Sequence, residues 1–226
     1  AAWYPCRGMA EQDMAVLVGD VDVEALSAVD VVGLVLDRLH PRVSLACSFQ
    51  KEEAVLLDML LAREPDARVF ALDTHVLFPE TYALWREVER RYGIRVEVFE
   101  GPSLGRQAAT HGEALWESNP ALCCSIRKVA PLTEALAGLD GWITGVRRDQ
   151  SATPKLGWDE RHELWKASPL ADWSDDDVWA YVREHDLPVN PLHERGYASI
   201  GCTHCTQPGS GRDGRWTGFD KTECGL

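Results

Sequence analysis

The chain has 226 residues, with 23 Lys+Arg against 36 Asp+Glu, and 7 Cys. At a soft prior of ~150 residues per domain this length predicts one compact domain with extensions, large enough to bury a core without disulfide staples. A hydrophobic content of 45% excludes wholesale disorder. The net charge of −13 argues against a general affinity for DNA, RNA or acidic membranes, but allows a small anion held by a local basic cluster.

Residues 1–22 show weak periodicity and are expected to be an N-terminal extension. Residues 1–11 lack a basic stretch followed by an apolar one, so no export signal is expected. Apolar runs such as residues 31–36 are far shorter than the ~20 residues of a membrane span. A cytoplasmic protein with reduced thiols is the resulting expectation.

Residues 23–39 place Val23, Leu26, Val29, Val32, Leu36 and Leu39 at helical spacing, and Pro41 closes the run. Residues 43–47 read as a short apolar strand. It runs through Ser48-Phe49-Gln50-Lys51 into a helix over 52–62, with Val55, Leu56, Met59 and Leu60 on one face. A second strand over 68–72 ends in Asp73-Thr74-His75. The next helix, 79–92, opens on Pro79, whose fixed φ suits a first turn, and stops at Gly93. A third strand spans 94–99. Alternating strands and helices predict a parallel sheet covered by helices. Ligands bind such sheets at the carboxyl ends of the strands, which points to residues 47–51 and 73–75.

Residues 103–137 read as helical with an interruption at Pro120. A fourth strand over 142–144 ends in Gly145, Arg147, Arg148 and Asp149. Residues 150–163 read as a polar loop. Ser174 caps a helix reaching His185, with Asp175, Asp176 and Asp177 at the positive end of its dipole. From Leu187 onward the chain is rich in Pro, Gly and Cys and reads as an extended tail. The expected division is an extension over 1–22, an α/β domain over 23–200 and a tail over 201–226.

Seven cysteines cannot all pair, so metal ligation or chemistry is the expectation for them. The strongest local signals are Cys123-Cys124 and Cys202-x-x-Cys205. A C-x-x-C turn brings two sulfurs to one side, which serves zinc, a redox disulfide or an iron–sulfur cluster alike. The adjacent pair is unusual for zinc, whose ligands sit ~2.3 Å from one ion. A cubane offers separate iron corners, and four thiolates match the usual [4Fe–4S] ligand count. Spacing alone leaves zinc and iron–sulfur open. Cys47 reads as a small hydrophobe, and Cys6 has no assignment. Cys224 lies three positions from the end, where it could act as a moving nucleophile. The bland alternative is an incidental thiol.

Basic residues gather beside these features: Arg127-Lys128 after the Cys pair, Arg147-Arg148 after the fourth strand, and Arg212 with Arg215 between the C-x-x-C and Cys224. Guanidinium forks and ammonium groups suit phosphate and sulfate oxygens, so a shared anion site is expected.

The order and joint occurrence of several motifs is specific. They are Leu72-Asp73-Thr74, Phe78-Pro79-Glu80-Thr81, Cys123-Cys124-Ser125-Ile126-Arg127-Lys128, and Thr144-Gly145-Val146-Arg147-Arg148-Asp149-Gln150. Val189-Asn190-Pro191-Leu192, Gly201-Cys202-Thr203-His204-Cys205 and Lys221-Thr222-Glu223-Cys224-Gly225-Leu226 complete the set. Over residues 43–226 the chain resembles the cluster-bearing bacterial adenylyl-sulfate reductases, of the phosphoadenylyl-sulfate reductase family. The resemblance implies a single-domain, parallel-sheet α/β fold of the adenine nucleotide α-hydrolase (PP-loop/HUP) type with a mobile C-terminal tail. It implies reduction of adenylyl sulfate by thioredoxin, or glutaredoxin, to sulfite and AMP in sulfate assimilation and cysteine biosynthesis. It also implies a homo-oligomer, a tetramer.

Carried over residue by residue, Cys224 is the nucleophile that becomes an S-sulfonate. Cys123, Cys124, Cys202 and Cys205 hold a [4Fe–4S] cluster that does not donate the electrons. Lys128, Arg147, Arg148, Arg212 and Arg215 bind substrate, with Ser48, Asp73, Thr74 and Gly145. Two departures stand out. The family's Thr-Arg pair is replaced by Thr153-Pro154-Lys155, and the loop at 47–53 lacks the family's usual glycine. The 3′-phosphorylated nucleotide is the alternative substrate. A tRNA-thiolating enzyme of the same superfamily predicts a Ser-Gly-Gly-x-Asp-Ser loop and a basic face, neither of which the sequence carries. A zinc-stabilised binding module predicts a colourless protein with a dispensable Cys224.

Overall fold

The computed structural model describes Met14, residues 16–219 and Lys221. Strands β1 (Val43–Ala46), β2 (Arg68–Asp73), β3 (Glu97–Glu100), β4 (Gly141–Ile143), β5 (Leu156–Asp159) and β6 (Leu164–Ala167) form one sheet in the order β3-β2-β1-β4-β6-β5. All neighbours are parallel except β5 and β6, which run antiparallel. β1 is followed by β2 on one side and adjoins β4 on the other. The strand order reverses there, which opens a crevice at the carboxyl ends of β1 and β4.

Helix α1 (Ala28–Leu39) starts later than the periodicity suggests, because Ser27 accepts from the Asp30 amide and caps it. A short 3₁₀ turn, Val23–Ala25, takes the preceding residues. Helix α2 (Lys51–Arg63) is buried on nearly every side, with Val55 and Leu56 sealed completely. Burial of each such side chain stabilises the fold by roughly 1.5–3 kcal/mol. Helix α3 (Pro79–Tyr92) runs as expected from Pro79 to a left-handed Gly93.

The expected helix over 103–137 is a chain of short pieces. These are α4 (Leu104–His111), α5 (Leu115–Ser118), α6 (Pro120–Cys124), a widened π turn (Ser125–Val129) and α7 (Ala130–Leu136). Pro120 opens a segment rather than interrupting one, since its missing N–H costs nothing at a first turn. Helix α8 (Asp175–Glu184) follows its Ser174 cap.

Two expectations need correction. Residues 150–163 are not a polar loop throughout, because Leu156–Asp159 forms β5 and pairs with β6. Leu156 is buried and Trp158 exposed on this four-residue edge strand, a pattern too short to read beside Pro154 and Gly157. Residues from Leu187 to Phe219 are not a loose tail. Ile200, Asn190, Thr206, Arg215 and Trp216 are buried, and Cys202 bridges Leu77. No helix among the described residues is long and apolar enough to cross a membrane.

One turn of this docked segment leaves no room for a side chain. A Cβ on Gly214 would lie 2.0 Å from the carbonyl oxygen of Gln207, whose amide donates to the Gly214 carbonyl at 2.8 Å. Gly214→Ala is expected to lower stability by about 1–3 kcal/mol, as overpacking does. Thermal unfolding beside the wild type checks it, and an unchanged melting temperature would contradict the packing.

Candidate active site

Four cysteines meet beyond the carboxyl ends of the strands. Cys123 and Cys124 close α6, while Cys202 precedes and Cys205 ends the 3₁₀ turn Thr203–Cys205. All four line one cavity with Val76, Trp116, Lys128, His204, Arg215 and Trp216. All four are free thiols. Burial pushes the Cys205 thiol up to about 11, with the neighbouring Cys202 and Cys123 sulfurs adding to the effect. Cys123 is raised for the same two reasons, burial first and Cys202 second.

Thiols that resist ionisation together call for a cation among them, so the donor set fits a bound metal group. Among the described residues, Asp73, His75 and Glu100 hold ligand atoms that all lie within 4.8 Å of one another. His204, between Cys202 and Cys205, is exposed and stacks on Trp116, with ring centroids 4.0 Å apart and planes 7° from parallel.

A second cavity adjoins the first. Its walls come from the ends of β1 and β2 (Ala46 through Phe49, and Phe70 through Leu72), from Thr74 and Trp142, and from Ile200-Gly201 of the docked segment. Lys128 lines both cavities. The π turn sets its position by inserting one residue into the helical ladder, so that the Ala130 amide reaches back to the Ser125 carbonyl. Arg127 pins that turn. Its guanidinium, 1% exposed, donates to the Thr74 carbonyl at 2.9 Å and the Pro102 carbonyl at 3.3 Å. The Cys202 thiol donates to Thr74 Oγ1 at 3.4 Å, so Thr74 touches both cavities.

The loop from β1 to α2 lacks glycine, yet Phe49 takes the left-handed φ of 59° that glycine favours. Its ring is buried and stacks on Trp85 at 4.9 Å, and this contact offsets the backbone strain. Ser48 lines the cavity, but its hydroxyl donates to Glu53 Oε2 at 2.8 Å. Burial and the adjacent Glu52 push the Glu53 carboxyl up to about 7. Asp73 caps its own turn, accepting from the His75 amide and the Tyr82 hydroxyl, both at 2.7 Å. His75 Nε2 lies 3.2 Å from Glu100.

The expected cations separate into two groups. Arg212, Arg215 and Lys221 gather around the Trp216 ring at 5.5, 4.6 and 5.6 Å, beside the four-cysteine cavity. Arg215 also donates to Ser199 Oγ at 3.0 Å. Arg147 and Arg148 line neither cavity. Arg147 is buried against Glu52 (3.1 Å), Asp149 (2.7 Å) and Asp175 (3.1 Å). Arg148 pairs with Glu24 and Asp172. Lys155, standing where a substrate arginine was expected, is buried on the Glu24 and Leu26 carbonyls and on Asp172, each at 2.8 Å. Gly145 packs against Glu53, where a Cβ would come within 2.6 Å of Oε1. Cys224 and Cys6 lie outside the described residues.

Residues 42–208 match the model of the phosphoadenosine phosphosulfate reductase domain. The chain belongs to the phosphoadenosine phosphosulfate reductase family. The adenosine 5′-phosphosulfate reductase of Bacillus mycoides (strain KBAB4) is 46% identical over 213 residues, covering 90% of this chain and 91% of the relative. The enzyme of the same name from Bacillus cereus (strain 03BB102) is 45% identical over the same shares. The crystal structure of phosphoadenylyl-sulfate reductase from Candida auris, a phosphate complex, superposes with a TM-score of 0.77 at 29% identity, over 92% of this chain and 100% of that one. Candida glabrata FMN adenylyltransferase shares the fold alone, with a TM-score of 0.59 at 14% identity over 81% of this chain and 64% of that one.

In this member of the reductase family, several site residues escaped sequence reasoning. Trp116, Trp216 and Ile200 carry no motif signal, because an aromatic or aliphatic wall looks like core. Arg127 and Glu53 were visible as neighbours of Lys128 and Ser48, but only the fold shows what their side chains hold.

Proposed function

We propose that the chain reduces adenylyl sulfate to sulfite and AMP with thioredoxin as reductant, in assimilatory sulfate reduction. The observation that carries this reading is Lys128 standing between a four-cysteine cavity and a cavity at the strand ends, in a chain 46% identical to a protein named for this reaction. The strand-end cavity suits the nucleotide, by the general rule for parallel sheets. The Lys128 ammonium faces the anionic phosphosulfate and reduces the repulsion between it and an attacking thiolate. Arg212, Arg215 and Lys221 add positive charge around Trp216.

The Cys224 thiolate attacks the sulfate sulfur. A sulfur–sulfur bond forms, the bond from sulfur to the bridging oxygen breaks, and AMP leaves with the electron pair. A thioredoxin thiolate then attacks Cys224 Sγ, sulfite departs with the bonding electrons, and the second thioredoxin thiol resolves the mixed disulfide. Cys123, Cys124, Cys202 and Cys205 hold a [4Fe–4S] cluster. When bound, it supplies metal centres that take up the charge of four thiolates next to Lys128. The adjacency of Cys123 and Cys124, unusual for one zinc ion, supports a cluster.

Two measurements on the purified holoenzyme test the proposal. Sulfite release is compared with adenylyl sulfate and its 3′-phosphorylated form, each with reduced thioredoxin. Incubation with substrate but no thioredoxin is followed by mass mapping of the sulfonate. The expected result is turnover of adenylyl sulfate in preference and an adduct on Cys224. Turnover of neither nucleotide, or an adduct on another cysteine, overturns it.

A further inference from the structure

The strand-end cavity joins two unlike surfaces. Lys128 gives it positive charge where it adjoins the cysteines. Ala46, Phe70, Leu72, Leu132 and Trp142 give it an apolar wall, and these five pack together in one cluster. Trp142 stands opposite Ser44 and Ala46 stands opposite Phe70 in the sheet register, so their side chains share one face.

Trp142 brings the one indole of that wall. The Lys166 ammonium lies over its ring at 4.9 Å, and the His162 ring meets it edge-on at 5.9 Å, so the indole is held in place. Only 5% of Trp142 is exposed, yet among the described residues its Nε1–H donates to no group. The hydroxyl of Ser44, its register partner, is also buried and does not accept it. A buried indole N–H usually finds an acceptor, and leaving it unpaired is costly. In the wall of a ligand cavity, that cost is offset when the ligand itself brings the acceptor. A purine base does so. The ring nitrogens N1, N3 and N7 of adenine are unprotonated acceptors, and its flat faces suit aliphatic and aromatic walls.

We infer that Trp142 is a specificity-determining residue that reads the adenine base, with its Nε1–H donating to a ring nitrogen of the nucleotide. The inference rests on the strand-end cavity being the nucleotide site. It divides the work of the cavity between its two surfaces: Lys128 meets the anionic group and Trp142 meets the base.

Calorimetric titration of the cluster-loaded enzyme tests this, with AMP and with its 1-, 3- and 7-deaza analogues, each of which replaces one ring acceptor by C–H. Wild type is expected to bind AMP, and to bind one of the three analogues at least about tenfold more weakly, because that analogue leaves the indole N–H unpaired. Trp142→Phe keeps an aromatic wall without the donor, and should bind that analogue and AMP within about twofold of each other. A wild type that binds all three analogues as tightly as AMP overturns the inference, and so does a penalty that persists in Trp142→Phe. A crystal structure of wild type with AMP does not depend on the variant folding. Nε1 is expected within about 3.2 Å of a ring nitrogen there, and a base seated away from Nε1 overturns the inference. Failure of wild type to bind AMP would instead overturn the nucleotide reading on which it rests.

Discussion

Arg147→Met is expected to lower stability by about 3–5 kcal/mol, the cost of leaving a buried charge without its partner. The side chain of Arg147 is 4% exposed and that of Glu52 is 7% exposed, at 3.1 Å from each other. The same guanidinium donates to Asp149, Asp175 and the Trp173 carbonyl. Asp175 is shared with Lys51 at 2.6 Å, so one arginine ties the end of the fourth strand to the first turns of α2 and α8. Without it, Glu52 faces Glu53 in a site that water scarcely reaches. At roughly 2–4 °C per kcal/mol for a chain of this size, the melting temperature should fall by roughly 6–20 °C. Pairing the change with Glu52→Leu removes the stranded charge and should recover most of the loss, since apolar replacement of a buried pair is often neutral. Thermal unfolding of wild type, single and double variants decides it. A single variant as stable as wild type, or a double variant no better than the single, would show that the pair does not carry the weight assigned to it.

Lys128→Ala is expected to reduce the rate of sulfonate formation by about 10²–10³-fold, the usual cost of removing one group aimed at developing charge. Lys128 is the described cation that borders both the four-cysteine cavity and the strand-end cavity. Its backbone position depends on the π turn and on Arg127, which holds the Thr74 and Pro102 carbonyls and does not depend on the Lys128 side chain. The variant should therefore fold, retain its iron and lose rate. Lys128→Arg keeps the charge on a larger, planar head and should recover only part of it. Single-turnover formation of the sulfonate, measured beside iron content, separates the two effects. Sulfonate formation at the wild-type rate in an iron-replete Ala variant would remove Lys128 from the reacting centre.

The readability of the sequence varied along the chain for physical reasons. The first two strands and the helices beside them were plain, because burial from both faces demands continuous apolar runs and helices need a 3.6-residue stripe, whereas the half-exposed β3 was expected three residues too early. Pro79, Gly93 and Ser174 marked boundaries through local chemistry that needs no tertiary partner, whereas the Ser27 cap was overlooked inside an apolar periodicity. β5 and β6 were missed because an antiparallel edge pair of four residues each offers little pattern. The segment after Leu187 looked like a tail because its fold depends on turns at Gly196, Gly209 and Gly214 and on docking to the sheet rather than on periodicity.

The arginines illustrate the limit most sharply. Arg147-Arg148 and Arg212 with Arg215 are equivalent as letters. Folding brings three carboxylates to Arg147 and two to Arg148, which turns them into internal ties. Arg212 and Arg215 come to rest over Trp216 beside the cysteines instead.

The sequence by itself determined the inventory and the local geometry: an odd set of seven cysteines, two of them adjacent and two in a C-x-x-C turn, a strongly acidic chain with a few basic clusters, and helices capped by their own side chains. Those properties depend on covalent spacing and on bonds made within a few residues. Only the tertiary structure decided which cysteines share a cavity, that Lys128 borders two cavities, and that Ser48 is held by Glu53. Each of those outcomes is set by which groups meet across the fold. A charge or thiol takes its role from the partners within a few ångströms, and chain order does not record that distance.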